Sequence, residues 1–301
     1  MNRLAPFFVI VAASLWGVDG IILRPALYSL PVPLVVFIES AVVAVLLSPY
    51  FLRKYPELNS LKPKDWLAFL AVALFGGAIG TMAITRALFY VNFVNLSIVI
   101  LIQKLQPVFA LILAALLLKE RLPRIFFLWA GVALFGAYLM TFGLNLPILS
   151  NGDKTAIAAL FALIASISFG ASTVFSKRGL KNVDYQMGTY LRFLMTTIIM
   201  LIIVSSSGII FQVSQVTRTQ IFIFLLIAFS TGGTAIFLYY YGLKRITASV
   251  ATICELAFPL TAVILEYVIR GNILSSVQWI GVAILFLSIL RVTRIQRKVI
   301  S

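Results

Sequence analysis

Apolar runs of about 18 to 25 residues follow one another from one end of this 301-residue chain to the other. Each has the length an α-helix needs to cross roughly 30 Å of hydrocarbon. In lipid every backbone polar group must be paired inside the protein, so a succession of such runs folds as membrane-spanning helices. With 62% hydrophobic and only 11% charged residues, an ordinary soluble domain is excluded. The reading is an all-α polytopic membrane protein of ten spans, near residues 5–23, 32–52, 66–89, 95–118, 124–142, 155–175, 185–206, 220–242, 247–269 and 275–292. Breakers separate them, among them Pro31-Val32-Pro33, Asn151-Gly152-Asp153, Ser205-Ser206-Ser207-Gly208 and Gly271-Asn272.

A net charge of +15 would suggest nucleic acid as partner of a soluble chain, but the basic residues sit in short connectors. With a cytoplasmic N-terminus, seventeen of the 24 Lys and Arg fall on the cytoplasmic side. The opposite side holds Arg24, Lys154, Arg218 and Arg270, while Arg86, Lys104 and Arg192 fall inside spans. This positive-inside bias predicts a multi-pass protein of the cytoplasmic (plasma or inner) membrane with both termini cytoplasmic. The bilayer is then the expected partner, nucleic acid is not, and the chain is expected as a monomer or homodimer. A single cysteine, Cys254, and no histidine remove disulfide frameworks and the usual zinc sites, so no metal or cofactor is expected. Residues 4–23 after Arg3 could also be read as a cleaved signal peptide, but an internal copy of this segment in mid-chain favours a retained span.

That copy belongs to a repeat with a shift of about 150 residues. Trp16-Gly17 meets Phe169-Gly170, Glu39 meets Arg192, Gly80-Thr81 meets Gly233-Thr234, and Trp129-Ala-Gly-Val-Ala meets Trp279-Ile-Gly-Val-Ala. Ser97 stands ten residues before Pro107, and Ser249 ten before Pro259. Two units follow, residues 1–150 and 151–301, each of five spans. An odd number of spans sends the second unit in from the opposite side, so the repeats are inverted, an architecture recurrent in secondary transporters.

Trp16-Gly17 near the start, and the run Pro107-Val-Phe-Ala leading to Lys119-Glu120-Arg121-Leu122 and then Gly131, resemble the EamA family of the drug/metabolite transporter superfamily. The resemblance covers essentially the whole chain. It implies a ten-helix secondary transporter of small metabolites with a central cavity formed by both halves. The second half departs from the pattern at Arg270-Gly271-Asn272, where the acidic turn recurs without a carboxylate.

Ionisable groups inside spans cost about 2.5 kcal/mol or more unless they meet a partner, a wet cavity or the interface. The candidates are Asp19, Glu39, Arg86, Lys104, Arg192, Glu255 and Glu266. Lys104 and Glu255 lie deepest, each about nine residues, or roughly 13 Å, from its nearer span end. Gln103 and Gln106 share a helix face, as do Glu255 and Pro259. Pro107 and Pro259 each free a backbone carbonyl, predicting that both fourth-in-half helices are kinked and polar at mid-depth.

The expected substrate cavity therefore comprises Gln103, Lys104, Gln106, Glu255, Arg192, Glu39, Trp16 and Tyr239, with Glu255 and Glu39 as candidate carriers of a coupling proton. Lys104 has three readings: an ion pair with Glu255, Glu39 or Asp19, a cavity-lining anchor for an anionic group, or a side chain reaching the outer interface. Small residues at Gly76, Gly77, Gly80 and Thr81, and again from Thr231 to Thr234, read as close helix packing.

The function expected is a non-enzymatic carrier of a small polar or amphiphilic metabolite by alternating access, proton-coupled or exchanging anionic metabolites. The alternative is a channel or sensor without carrier activity. Balanced buried charges are unlike a one-sign filter ring.

Overall fold

The structure, a computed structural model, describes residues 4–52, 58, 61–90, 102–146, 153–270 and 274–300. The described residues are helical throughout, with no strand. Among them nine segments are long and apolar enough to cross a membrane, and Gln106–Leu117 is a shorter apolar helix. That helix is the downstream part of the expected span at 95–118; its upstream part, with Ser97, lies outside the described residues.

In chain order the helices are α1 (Ala5–Val18), α2 (Val32–Leu52), α3 (Pro63–Val72), α4 (Gly80–Tyr90), α5 (Gln106–Leu117), α6 (Arg124–Phe142), α7 (Asp153–Gly179), α8 (Tyr185–Ser206), α9 (Arg218–Phe229), α10 (Gly233–Leu243), α11 (Ala248–Cys254), α12 (Ala257–Arg270) and α13 (Ser276–Ile300). Several are pieces of one span. The first span runs on from α1 through a π-helical turn, Asp19–Leu23, and a short 3₁₀ turn, Arg24–Leu27. Arg24, expected in an outer connector, is therefore part of the span. A second π-helical turn, Ala73–Ile79, joins α3 to α4.

Local sequence explains the ends. Thr217 and Thr247 each precede a helix and accept from the backbone N–H three residues on, satisfying donors the first turn leaves open. Gly143 follows α6 with φ +62°, and Gly208 follows α8 with φ +70°, both conformations that favour glycine. Pro107 and Pro259 fall in the first turns of α5 and α12. There a missing N–H leaves no intrahelical bond unmade, so the expected kinks appear as interruptions after which a new helix starts.

The helices from the two halves of the sequence interleave. α1 packs against α10 and α12, while α7 packs against α4 and α5; α2 lies along α8, and α6 along α13. Glycine sets how close these pairs come. A Cβ at Gly17 would meet the Phe258 carbonyl and Thr261 at 2.9 Å, bringing α1 onto α12. One at Gly170 would meet the Ala110 amide at 3.0 Å and the Gln106 carbonyl at 3.1 Å, bringing α7 onto α5. The stripes of small residues are likewise packing surfaces: Gly77 faces Thr196, and Gly80 faces Phe169. The core against which these helices pack includes Phe69, Phe126, Leu191 and Tyr240, all buried.

Candidate functional site: two interrupted helices at mid-membrane

Two apolar helical stretches are interrupted, each by a pair of turn residues. In the first, the chain turns at Lys104-Leu105 before α5; in the second, it turns at Glu255-Leu256 between α11 and α12. Such interruptions are tolerated at membrane depth where protein or a cavity satisfies the freed backbone. Between them lies a cavity of about 70 Å³ lined by Gln103, Lys104 and Gln106 from one break and by Thr252, Glu255 and Phe258 from the other.

Glu255 is fully engaged. Its Oε1 accepts from the Tyr239 hydroxyl at 2.6 Å and from Thr173 at 3.1 Å. Its Oε2 accepts from the Gln106 amide at 3.0 Å. Tyr239 also reaches Thr173 at 3.3 Å, and its ring lies against Trp16 at a centroid distance of 5.3 Å. One carboxylate thus ties together α5, α7 and α10. Charge-assisted bonds of this kind are roughly twice as strong as neutral ones.

Lys104 makes no such contact. Among the described residues no hydrogen bond or ion pair reaches its ammonium, so the ion pairs with Glu255, Glu39 or Asp19 considered from sequence are not formed. The amide of Gln106 occupies the position at Glu255 that a lysine partner would take.

Arg192 lies between two acidic groups, within electrostatic reach of Glu255 and of Glu39. Its guanidinium donates to the Tyr240 hydroxyl at 3.5 Å, and Tyr240 in turn shares a 3.0 Å bond with Ser176. Glu39 sits apart from the cavity, in a second cluster. Arg24 donates to Asp19 at 2.7 Å and to Glu39 at 3.2 Å, and Thr231 donates to Asp19 at 3.2 Å. Asp19 and Arg24 are five residues apart, a spacing that would not meet on a regular α-helix; the π-helical turn between them brings them together. Thr231 reaches Asp19 from the break between α9 and α10.

A third polar junction joins the halves. Glu120, in the acidic turn read from sequence, accepts from the Ala248 amide at 2.7 Å, the Ser249 amide at 3.1 Å and the Ser249 hydroxyl at 2.6 Å. It caps α11, satisfying donors at a helix start. Nearby, Lys177 donates to the carbonyls of Leu243 and Lys244 at the end of α10.

Of the residues expected in the cavity, Gln103, Lys104, Gln106 and Glu255 line it, with Pro107 and Pro259 beside them. Tyr239 and Trp16 join through Glu255 and ring contact. Arg86 is exposed, and the side chain of Glu266 lies outside the described ones. Thr173, Thr252 and Arg24 escaped the sequence reading. Thr252 stands three residues before Glu255 on the same helical face, a spacing that could have flagged it; Thr173 carries no comparable signal.

The EamA-like transporter family matches residues 3–142 and again residues 156–294. The chain belongs to this family: it is a multi-pass membrane protein of the transporter class. It is 46% identical over 288 residues to the riboflavin transporter ImpX of Fusobacterium nucleatum, covering 95% of this chain and 96% of that one. A Bacillus subtilis protein named uncharacterized transporter YwfM is 27% identical, with 97% and 94% covered. A solved crystal structure superposes with a TM-score of 0.76 at 16% identity, over 100% of this chain and 99% of the other, a likeness of fold.

Proposed function

We propose that this chain is a secondary carrier that moves riboflavin or a closely related flavin across the cytoplasmic membrane by alternating access. The observation that carries this reading is the end-to-end 46% identity to a protein named for riboflavin transport. The site's chemistry is compatible with it. A flavin couples a flat aromatic tricycle to a polar imide edge and a polyol; the cavity sets the Phe258 ring beside the amides of Gln103 and Gln106 and the Thr252 hydroxyl, with Trp16 against Tyr239, which bonds Glu255.

The reciprocal packing supports an arrangement of ten helices in two inverted five-helix repeats, residues 1–150 and 151–301. α1 lies on α12 as α7 lies on α5, and the family matches the chain twice. In this reading both termini are cytoplasmic, as the basic connectors suggest. Rocking of one half against the other would part Gln106 from Glu255, the bond that joins α5 to the second half. The Glu120 cap would part on the inner side, and the bond from Thr231 to Asp19 on the outer. Glu255 and Glu39 are the proposed sites for a coupling proton: Glu255 loses Gln106 in that motion, and Glu39 shares the single cation of Arg24 with Asp19.

Proteoliposomes loaded with unlabelled riboflavin test the reading. Saturable counterflow of labelled riboflavin without ion current in planar bilayers is the expected result; ohmic current would make the protein a channel, and no uptake of any flavin would refute the substrate. Proton coupling predicts that Glu255→Gln retains counterflow while its net uptake no longer responds to a pH gradient.

A further inference from the structure

Three polar side chains on the mid-membrane cavity have no partner among the described residues. The Thr252 hydroxyl is wholly buried yet makes no hydrogen bond. The Lys104 ammonium and the Gln103 side-chain amide, on two half-buried residues, face the same cavity and bond to nothing described. Buried polar groups are almost always paired, and leaving one unpaired costs about 1 to 3 kcal/mol. Every other polar group around this cavity obeys that rule: Gln106, Tyr239 and Thr173 all converge on Glu255. A buried unpaired hydroxyl beside two open polar side chains on one wall of a cavity, next to a carboxylate engaged through both oxygens, marks where a ligand completes the bonding.

The donor and acceptor pattern specifies what completes it. An ammonium only donates, an amide both donates and accepts, and a hydroxyl does either. Together they present a donor, an acceptor and a donor. The complement is an acceptor, a donor and an acceptor in a row, as a cyclic imide offers with its two carbonyls flanking an N–H. The rest of the wall is apolar, formed by Pro107, Leu256, Phe258 and Pro259. At about 70 Å³ the cavity is well below the roughly 300 to 1,000 Å³ that encloses a whole ligand. It has room for the edge of a ring and leaves the remainder of a larger molecule to the space opened when the halves move.

We propose that Gln103, Lys104 and Thr252 form a subsite that reads the imide edge of the substrate, with Lys104 and one of the other two donating to its carbonyls and Gln103 or Thr252 accepting from its N–H. This assignment rests on the flavin reading above and adds to it the orientation of the ring: imide edge inward between the two helix breaks, polyol away from Lys104. A cation at the imide carbonyls also draws electron density toward them and strengthens the bonds it makes.

Flavin fluorescence quenching by the purified protein tests the proposal with three probes: riboflavin, its N3-methyl derivative and riboflavin 5′-phosphate. The expected result for the unaltered protein is at least about tenfold weaker binding of N3-methylriboflavin, the loss of one good hydrogen bond and a steric clash. Gln103→Leu and Thr252→Val weaken riboflavin and bring the two flavins to similar affinity, while Thr252→Ser restores the difference. Equal binding of riboflavin and N3-methylriboflavin by the unaltered protein overturns the subsite, and needs no variant to fold. Stronger binding of the 5′-phosphate that Lys104→Met abolishes also overturns it, by assigning Lys104 to an anion. Binding of no flavin at all removes the flavin reading and the subsite with it.

Discussion

The two helix breaks at mid-membrane are built alike and equipped oppositely. Around Glu255 both carboxylate oxygens are engaged: Tyr239, Thr173 and Gln106 close on one carboxylate and fasten three helices. Around Lys104, two residues before Gln106, a cation and an amide stand open to the cavity. A buried charge with good partners is architecture, because removing it strands the groups that held it. The half-buried cation of Lys104, without partners, adds no bond to the resting fold and is open to something that arrives. The comparison separates the residues that hold the site together from those that meet substrate.

The comparison breaks most readily at Glu255. Glu255→Ala leaves Tyr239, Thr173 and Gln106 without their common acceptor, at a cost of about 2 to 5 kcal/mol. Thermal unfolding in detergent should show a marked drop in Tm, and transport should be lost. Next comes Gly17→Ala, which pushes a methyl group to within 2.9 Å of the Phe258 carbonyl and Thr261. Overpacking of about 1 to 3 kcal/mol is expected by the same measurement, and Gly170→Ala, with slightly more room against α5, should cost less.

Glu120→Ala uncaps α11 by freeing the Ala248 and Ser249 amides. Loss of a cap costs about 0.5 to 2 kcal/mol. Faster hydrogen exchange confined to those amides would mark the Glu120 junction as a separable contact; exchange spread over the whole chain would instead make it part of the general core. Smallest of all is Arg86→Gln. The residue is exposed and its replacement should change stability by less than about 0.5 kcal/mol, with transport intact.

What could be read without coordinates follows from which interactions are local. Apolar length alone located the nine spans found among the described residues, and proline marked both helix interruptions because its missing N–H acts within a single turn. The polar character of Gln103, Gln106 and Glu255 at equal depth pointed to one site, and the structure brings Gln106 and Glu255 into contact. Partner choice was not legible. Lys104 and Gln106 were both available to Glu255, and which one reaches it depends on how the turn before α5 directs each side chain. Arg24 was assigned to a connector because the apolar run was read as ending at residue 23; the π-helical turn that carries the helix on and joins Arg24 to Asp19 leaves no mark in hydropathy. Thr173 and Thr231 act across helices far apart in sequence, and a threonine in an apolar run gives no sign of which way its hydroxyl turns.

The division between a satisfied hub and an open subsite is tested most directly by thermal unfolding of Lys104→Met and Glu255→Gln, each with and without saturating riboflavin. Lys104→Met should unfold at or slightly above the temperature of the unaltered protein, since the cation it removes has no partner. It should also lose most of the stabilisation that riboflavin provides. Glu255→Gln should unfold at a lower temperature even without ligand. A Lys104→Met protein destabilised as much as Glu255→Gln in the absence of ligand, with its riboflavin shift intact, would contradict the account: Lys104 would then be part of the scaffold and the substrate would bind elsewhere.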